Sequence, residues 1–116
     1  MKKFYFLVIL LLLLVGCSNS NDTINYVEAK EKIINNGAVL IDVRTKEEYN
    51  ENHIGGAISL PLDNIENDIS SVVSDKNAEI IVYCKSGTRS HEAYELLLNL
   101  GYKKVYDFGA MSNWRD

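Results

Sequence analysis

The chain has 116 residues, 47% of them hydrophobic and 24% charged, with a single proline; that length and balance give one globular domain and exclude a disordered chain. Its formal net charge is −4. Binding a phosphate backbone needs a basic face, so nucleic acid is excluded as a partner.

The first stretch reads as a targeting segment that stays out of the fold. Lys2 and Lys3 form a basic start, Phe4 to Val15 is an unbroken apolar run of twelve, and small residues follow. A helix needs roughly 20 apolar residues to span hydrocarbon, so the run is too short to cross a membrane and suits the core of a signal peptide. Its end, Leu14-Val15-Gly16-Cys17, resembles the lipobox of bacterial lipoproteins, in which cleavage precedes the cysteine and the cysteine is acylated. The resemblance implies a signal peptide over residues 1–16 and lipidation at Cys17. Two acyl chains there supply the stable anchoring that one chain does not, and the resemblance implies a protein held on the extracytoplasmic side of a membrane. Loss of Lys2 and Lys3 leaves ten basic against sixteen acidic side chains, a net of −6. The polar run from Ser18 to Thr23 reads as a tether, residues 17–23 in all.

The folded domain is expected over residues 24–116. Asn25 caps a helix from Tyr26 to Asn35, which Asn36-Gly37 ends. Ala38 to Val43 is an apolar strand interrupted only by Asp42, and a short helix runs from Lys46 to Glu51. Gly55 and Gly56 turn the chain into a short strand ending near Leu60. Asp63 or Asn64 then caps a helix carrying Ile65, Ile69, Val72 and Val73 at helical spacing. Ile80 to Tyr83 is apolar at every position, as a strand buried on both faces requires. Ala93, Leu96, Leu97 and Leu100 make one face of a helix that starts near Thr88 and ends at Gly101. Val105-Tyr106 is a last strand, and Phe108 to Trp114 closes the domain. Strands alternate with helices throughout, so the fold class is α/β, with a mainly parallel sheet covered on both faces.

The chemistry gathers where the buried strand meets the long helix. Cys84 ends the strand, in the position where open α/β sheets place their ligands. Lys85, Ser86, Gly87, Thr88 and Arg89 must curl so that backbone N–H groups and the helix amino end point at the sulfur, and Gly87 supplies the freedom for that curl. Such a ring attracts anions and stabilises the thiolate over the thiol, with Lys85 and Arg89 adding positive charge. With Cys17 acylated, Cys84 has no partner for a disulfide within the chain. An unpaired extracytoplasmic cysteine points to wanted reactivity, against the plainer reading of an inert core thiol.

These residues resemble the single-domain rhodaneses, a family of sulfurtransferases. The matching pieces are Leu40-Ile41-Asp42-Val43-Arg44, Glu48-Tyr49 with His53-Ile54-Gly55-Gly56-Ala57-Ile58, Tyr83-Cys84-Lys85-Ser86-Gly87-Thr88-Arg89-Ser90, and Leu100-Gly101-Tyr102 with Val105. Gly109-Ala110 with Trp114 resembles the family's terminal Gly-Gly and tryptophan, with alanine for the second glycine, a departure expected to lie away from the sulfur. The resemblance implies a rhodanese-like fold and a two-step reaction: Cys84 takes sulfur from an anionic donor such as thiosulfate as a persulfide, then passes it to cyanide or a thiol. It implies anion binding by Arg89, with Lys85 as a weaker electrostatic guide. Gly87 and Ser90 belong to the same loop, and the Ser86 and Thr88 hydroxyls either bond to the anion or hold the turn.

Asp42 and Arg44 are expected to form a buried ion pair with the loop, and His53 resembles the family's fold-supporting histidine. His91 reads as a surface or helix-packing residue, Tyr83 and Trp114 as packing residues. No metal-ligand spacing is present and no cofactor is implied. A monomer is expected at this length. Two other functions fit the same residues: a membrane-tethered sulfur carrier or binding module, and an oxyanion phosphatase or reductase of the same fold. Members of that second branch have a loop longer by one residue. The six-residue form here, Cys84 to Arg89, favours sulfur.

Overall fold

The computed structural model of the protein describes residues 22–116; the signal, Cys17 and most of the tether lie outside the described residues. The elements in order are α1 (Tyr26–Asn36), β1 (Val39–Asp42), α2 (Lys46–Glu51), β2 (Ile58–Ser59), α3 (Ile65–Val72), β3 (Glu79–Cys84), α4 (Thr88–Asn99) and β4 (Lys104–Ala110). Short 3₁₀ turns at Leu62–Asn64 and Met111–Asn113 precede α3 and follow β4.

The four strands form one sheet in the order β2-β1-β3-β4, and every pairing is parallel. β1 runs to β2 on one side while β3 and β4 lie on the other, so the strand order reverses between β1 and β3. That reversal opens a crevice beyond their carboxyl ends, which are Asp42 and Cys84.

Successive side chains of β3 point to opposite faces, and both faces are covered. Ile80, Val82 and Cys84 pack with Ile41, Ile65 and Ile69 of α3, and Ala93 and Leu97 of α4. Ile81 and Tyr83 pack with Leu40, Ala29 of α1 and Phe108, with Tyr49 and Trp114 against the edge. This two-sided burial explains why β3 is apolar without alternation. Trp114 meets Phe108 and Tyr26 edge-on, at ring-centroid distances of 5.5 and 5.0 Å, as the packing reading expects.

Local signals fix the helix ends. Asn25 and Glu28 form a reciprocal capping box on α1, and Gly37 closes it in the left-handed region at φ 68°. Asn64 stands at the cap of α3 without a side-chain cap bond, because the preceding 3₁₀ turn already starts the helical path. The last strand is longer than Val105-Tyr106 suggests, because β4 runs to Ala110 through a register shift opposite Val82 and Tyr83. Beyond β4, Thr23 makes a parallel bridge to Asp107.

Candidate active site

The strand–loop–helix junction carries Cys84 at the end of β3 with no solvent exposure. Its Sγ accepts hydrogen bonds from the backbone N–H of Gly87 at 3.0 Å and of Ser90 at 3.2 Å. Gly87 is the N-cap of α4, so the sulfur sits at the positive end of the helix. The loop closes this tightly because Gly87 adopts φ 104°, a left-handed conformation that costs an L-residue about 1–2 kcal/mol. Among the described residues no atom would meet a Cβ there, so the requirement is one of backbone conformation. Gly87→Ala is therefore expected to lower stability by about 1–2 kcal/mol in urea unfolding, and to slow reactions at Cys84 by shifting one of its two amides.

The remaining loop residues take separate places. The Ser90 hydroxyl donates to the Gly87 carbonyl at 3.1 Å and holds the turn. Lys85, Ser86 and Thr88 are exposed around the rim. Arg89 is partly buried, and its planar fork meets Glu48: Nη1 reaches Oε1 at 2.7 Å and Nη2 reaches Oε2 at 3.2 Å. Arg89, expected on an oxyanion, is instead paired with Glu48, a residue with no expected role in the site.

The same carboxylate caps α2, accepting the Thr45 backbone N–H at 3.0 Å. The Arg89 fork, and next the Thr45 amide, hold the Glu48 carboxyl at about 2, well below the usual carboxylate range. Glu48 is thus ionised at any ordinary pH. The Thr45-Lys46-Glu47-Glu48 capping-box pattern was the signal available for it.

Asp42 and Arg44 form the floor beside the loop. Arg44 donates to Asp42 through Nε at 3.0 Å, Nη2 at 2.7 Å and its backbone N–H at 2.9 Å. Both are buried. They pair with each other, where the sequence suggested a pair with the loop. The Tyr83 hydroxyl donates to Asp42 at 2.8 Å and accepts the Ile54 N–H at 3.1 Å. Burial pushes the Tyr83 phenol up, so it stays protonated and keeps donating. Tyr83 is therefore more than packing: it ties β1, β3 and the Asn52–Ile54 segment, whose Asn52 carbonyl also accepts from Arg44 at 2.7 Å.

His53 is exposed, stacks on Tyr49 at 3.7 Å, and has Nδ1 2.8 Å from the Tyr49 carbonyl. That places it in support of the α2–β2 turn. His91 lies on the exposed face of α4, 3.8 Å from Asp107 and from Glu95.

Ala110, expected to lie away from the sulfur, is the register partner of Cys84 across β3 and β4. The shift after Val82, with Gly109 at φ 85°, brings it level with the cysteine. Met111 and Ser112 follow it into a cavity of about 620 Å³ that is also lined by Lys85, Arg44 and Glu48.

The rhodanese-like domain family matches residues 25–116. The chain belongs to the rhodanese-like family. Among its relatives is thiosulfate sulfurtransferase PspE of Escherichia coli, 40% identical over 73 residues that cover 63% of this chain and 70% of the relative. Thiosulfate sulfurtransferase GlpE of Coxiella burnetii is 31% identical over 79% of this chain and 85% of its own. A solved structure described as a rhodanese with anions from E. coli superposes with a TM-score of 0.63 at 38% identity, covering 66% of this chain and 89% of that one. The human single-domain sulfurtransferase TSTD1, at 23% identity and TM-score 0.69 over 83% of this chain and 94% of that one, shares the fold. At the level of its family, this rhodanese is a sulfurtransferase.

Proposed function

We propose that this rhodanese moves a sulfane sulfur from a small anionic donor to a thiol or cyanide acceptor through a persulfide on Cys84. The observation that carries the reading is the pair of amides, Gly87 and Ser90, donating to a single sulfur at the amino end of α4. That arrangement stabilises negative charge on Sγ before, during and after transfer.

The Cys84 thiolate attacks the outer sulfur of thiosulfate. A Cys84 S–S bond forms, the donor's S–S bond breaks, and the electron pair leaves with sulfite. In the second step cyanide attacks the terminal sulfur of the persulfide. A C–S bond forms, the persulfide S–S bond breaks, and the electron pair returns to Cys84 as thiolate, releasing thiocyanate. A thiol acceptor takes the same sulfur as a hydrodisulfide. No electrons enter or leave the cycle, so no redox partner is required. Exposed Lys85 draws the anion toward a body that is otherwise acidic.

The test is steady-state formation of thiocyanate from thiosulfate and cyanide by the full chain. Turnover supports the transferase. Persulfide loading without turnover would leave the carrier reading in its place.

We also propose that the protein works as a monomer anchored through acylated Cys17 on the extracytoplasmic side of the membrane, with Leu14-Val15-Gly16-Cys17 as support. Cells fed labelled palmitate should label the wild-type chain and leave Cys17→Ser unlabelled; equal labelling of both would refute the anchor.

A further inference from the structure

The site that would receive an anionic donor has most of its side-chain charge already paired. Arg44 is committed to Asp42 at 2.7 Å, with side-chain exposures of 6% and 0%. Arg89 is committed to Glu48, also at 2.7 Å, with exposures of 34% and 27%, so the pair is sheltered enough to resist full screening by solvent. The cavity beside the loop is bordered by Lys85 and by the acidic Glu48 and Glu51. Lys85 and Glu51 have no ion-pair partner among the described residues. Their charges offset, and the formal charge of the cavity wall is close to zero. The positive field at Cys84 comes from two backbone amides and a helix end.

A larger cavity, of about 1000 Å³, lies between the start of α1 and Trp114. Among the described residues its lining has no cysteine, no histidine and no comparable ion pair, so it suggests no chemistry.

Amides and a helix end attract an anion, but beside a wall of near-zero formal charge, with both guanidinium groups paired, a second negative charge on the ligand gains less than it would from an unpaired guanidinium and meets the Glu48 carboxylate nearby. We propose that Glu48 determines the charge class of the sulfur donor. By holding Arg89, it makes the site select singly charged sulfane-sulfur donors, the thiosulfonates and organic hydrodisulfides, over dianionic thiosulfate. This rests on the sulfur-transfer reading above and deepens it. Glu48 is a specificity-determining residue, since it acts through the fork of Arg89 and through its own charge at the cavity wall.

The donor chemistry is unchanged. With methanethiosulfonate, the Cys84 thiolate attacks the outer sulfur, the donor's S–S bond breaks, and the electron pair leaves with methanesulfinate. Methanethiosulfonate and thiosulfate share the same sulfonyl frame and differ in a methyl group where thiosulfate carries its second negative oxygen. They are therefore matched probes of charge.

The experiment compares full-length wild type and Glu48→Gln with both donors. Gln keeps the length of the side chain and its ability to accept the Thr45 amide, so α2 retains its cap. The variant should shift the ratio of kcat/KM values about tenfold toward thiosulfate, mostly through KM. Glu48 would be merely structural if both donors changed by the same factor, and the proposal fails outright if the ratio in Glu48→Gln moves away from thiosulfate.

A second readout does not need turnover. Alkylation of Cys84 by iodoacetate relative to iodoacetamide, each normalised to a free thiol, should rise several-fold in Glu48→Gln. An unchanged alkylation ratio overturns the charge role. A shifted ratio in a protein that forms no persulfide from either donor supports the charge role and refutes the sulfur-transfer reading, so the two failures are distinguishable.

Discussion

Cys84→Ser is expected to reduce sulfur transfer by roughly a thousandfold or more, the scale seen when a covalent nucleophile is removed. The hydroxyl is hardly ionised at neutral pH, and oxygen does not form the persulfide that carries the sulfur. The fold should survive. The serine oxygen still accepts from the Gly87 and Ser90 amides that now meet Sγ, and the change removes little volume from the core formed with Val82 and Ala93. Thiocyanate formation measured beside the thermal unfolding midpoint separates chemistry from stability. The outcome that would sink the assignment is a folded Cys84→Ser protein with activity near wild type.

Asp42→Ala is expected to have the largest effect on stability, about 3–5 kcal/mol. Asp42 is fully buried and accepts from Arg44 and from the Tyr83 hydroxyl. Its removal strands the Arg44 guanidinium in a site with 6% side-chain exposure and leaves the Tyr83 hydroxyl without its acceptor. Domains of this size have only about 5–15 kcal/mol in total, so the variant should sit close to unfolding at 37 °C. Replacing both Asp42 and Arg44 by leucine should be less damaging than Asp42→Ala, because no uncompensated charge remains. Urea unfolding of the two variants checks this order. A loss below about 1 kcal/mol for Asp42→Ala would show that the pair is dispensable.

The strand–loop–helix unit was legible because each of its signals is local. The β-branched run before Cys84, Gly87 three residues on, and the apolar spacing of Ala93 and Leu97 all lie within one short stretch. A mainly parallel sheet followed from the same logic, since strands alternate with helices, and every pairing in the structure is parallel. The electrostatics of the site were far less legible. Glu48 meets Arg89 across 41 positions, and Tyr83 meets Asp42 across another 41. Nothing in periodicity or capping specifies such pairs. The Thr45–Glu48 box announces a helix start, and only the fold reveals that the same carboxylate has lone pairs to spare for a guanidinium.

Ala110 illustrates a different limit. Its distance from the sulfur depends on a one-residue register shift in β4, and a slip of one residue moves a side chain to the opposite face of a sheet. Composition at Gly109-Ala110 hints at irregular backbone without saying which strand position it reaches. Among the described residues the bonds to Sγ come from the Gly87 and Ser90 amides, and both histidines are exposed.

The central claim is that Cys84 carries the transferred sulfur. The most direct measurement is the intact mass of the full chain after thiosulfate, and again after methanethiosulfonate, followed by addition of cyanide. The expected result is a gain of one sulfur atom in the wild-type chain, its loss with cyanide, and no gain in Cys84→Ser. A folded wild-type protein that gains no sulfur from either donor, with its thiol free, would contradict it.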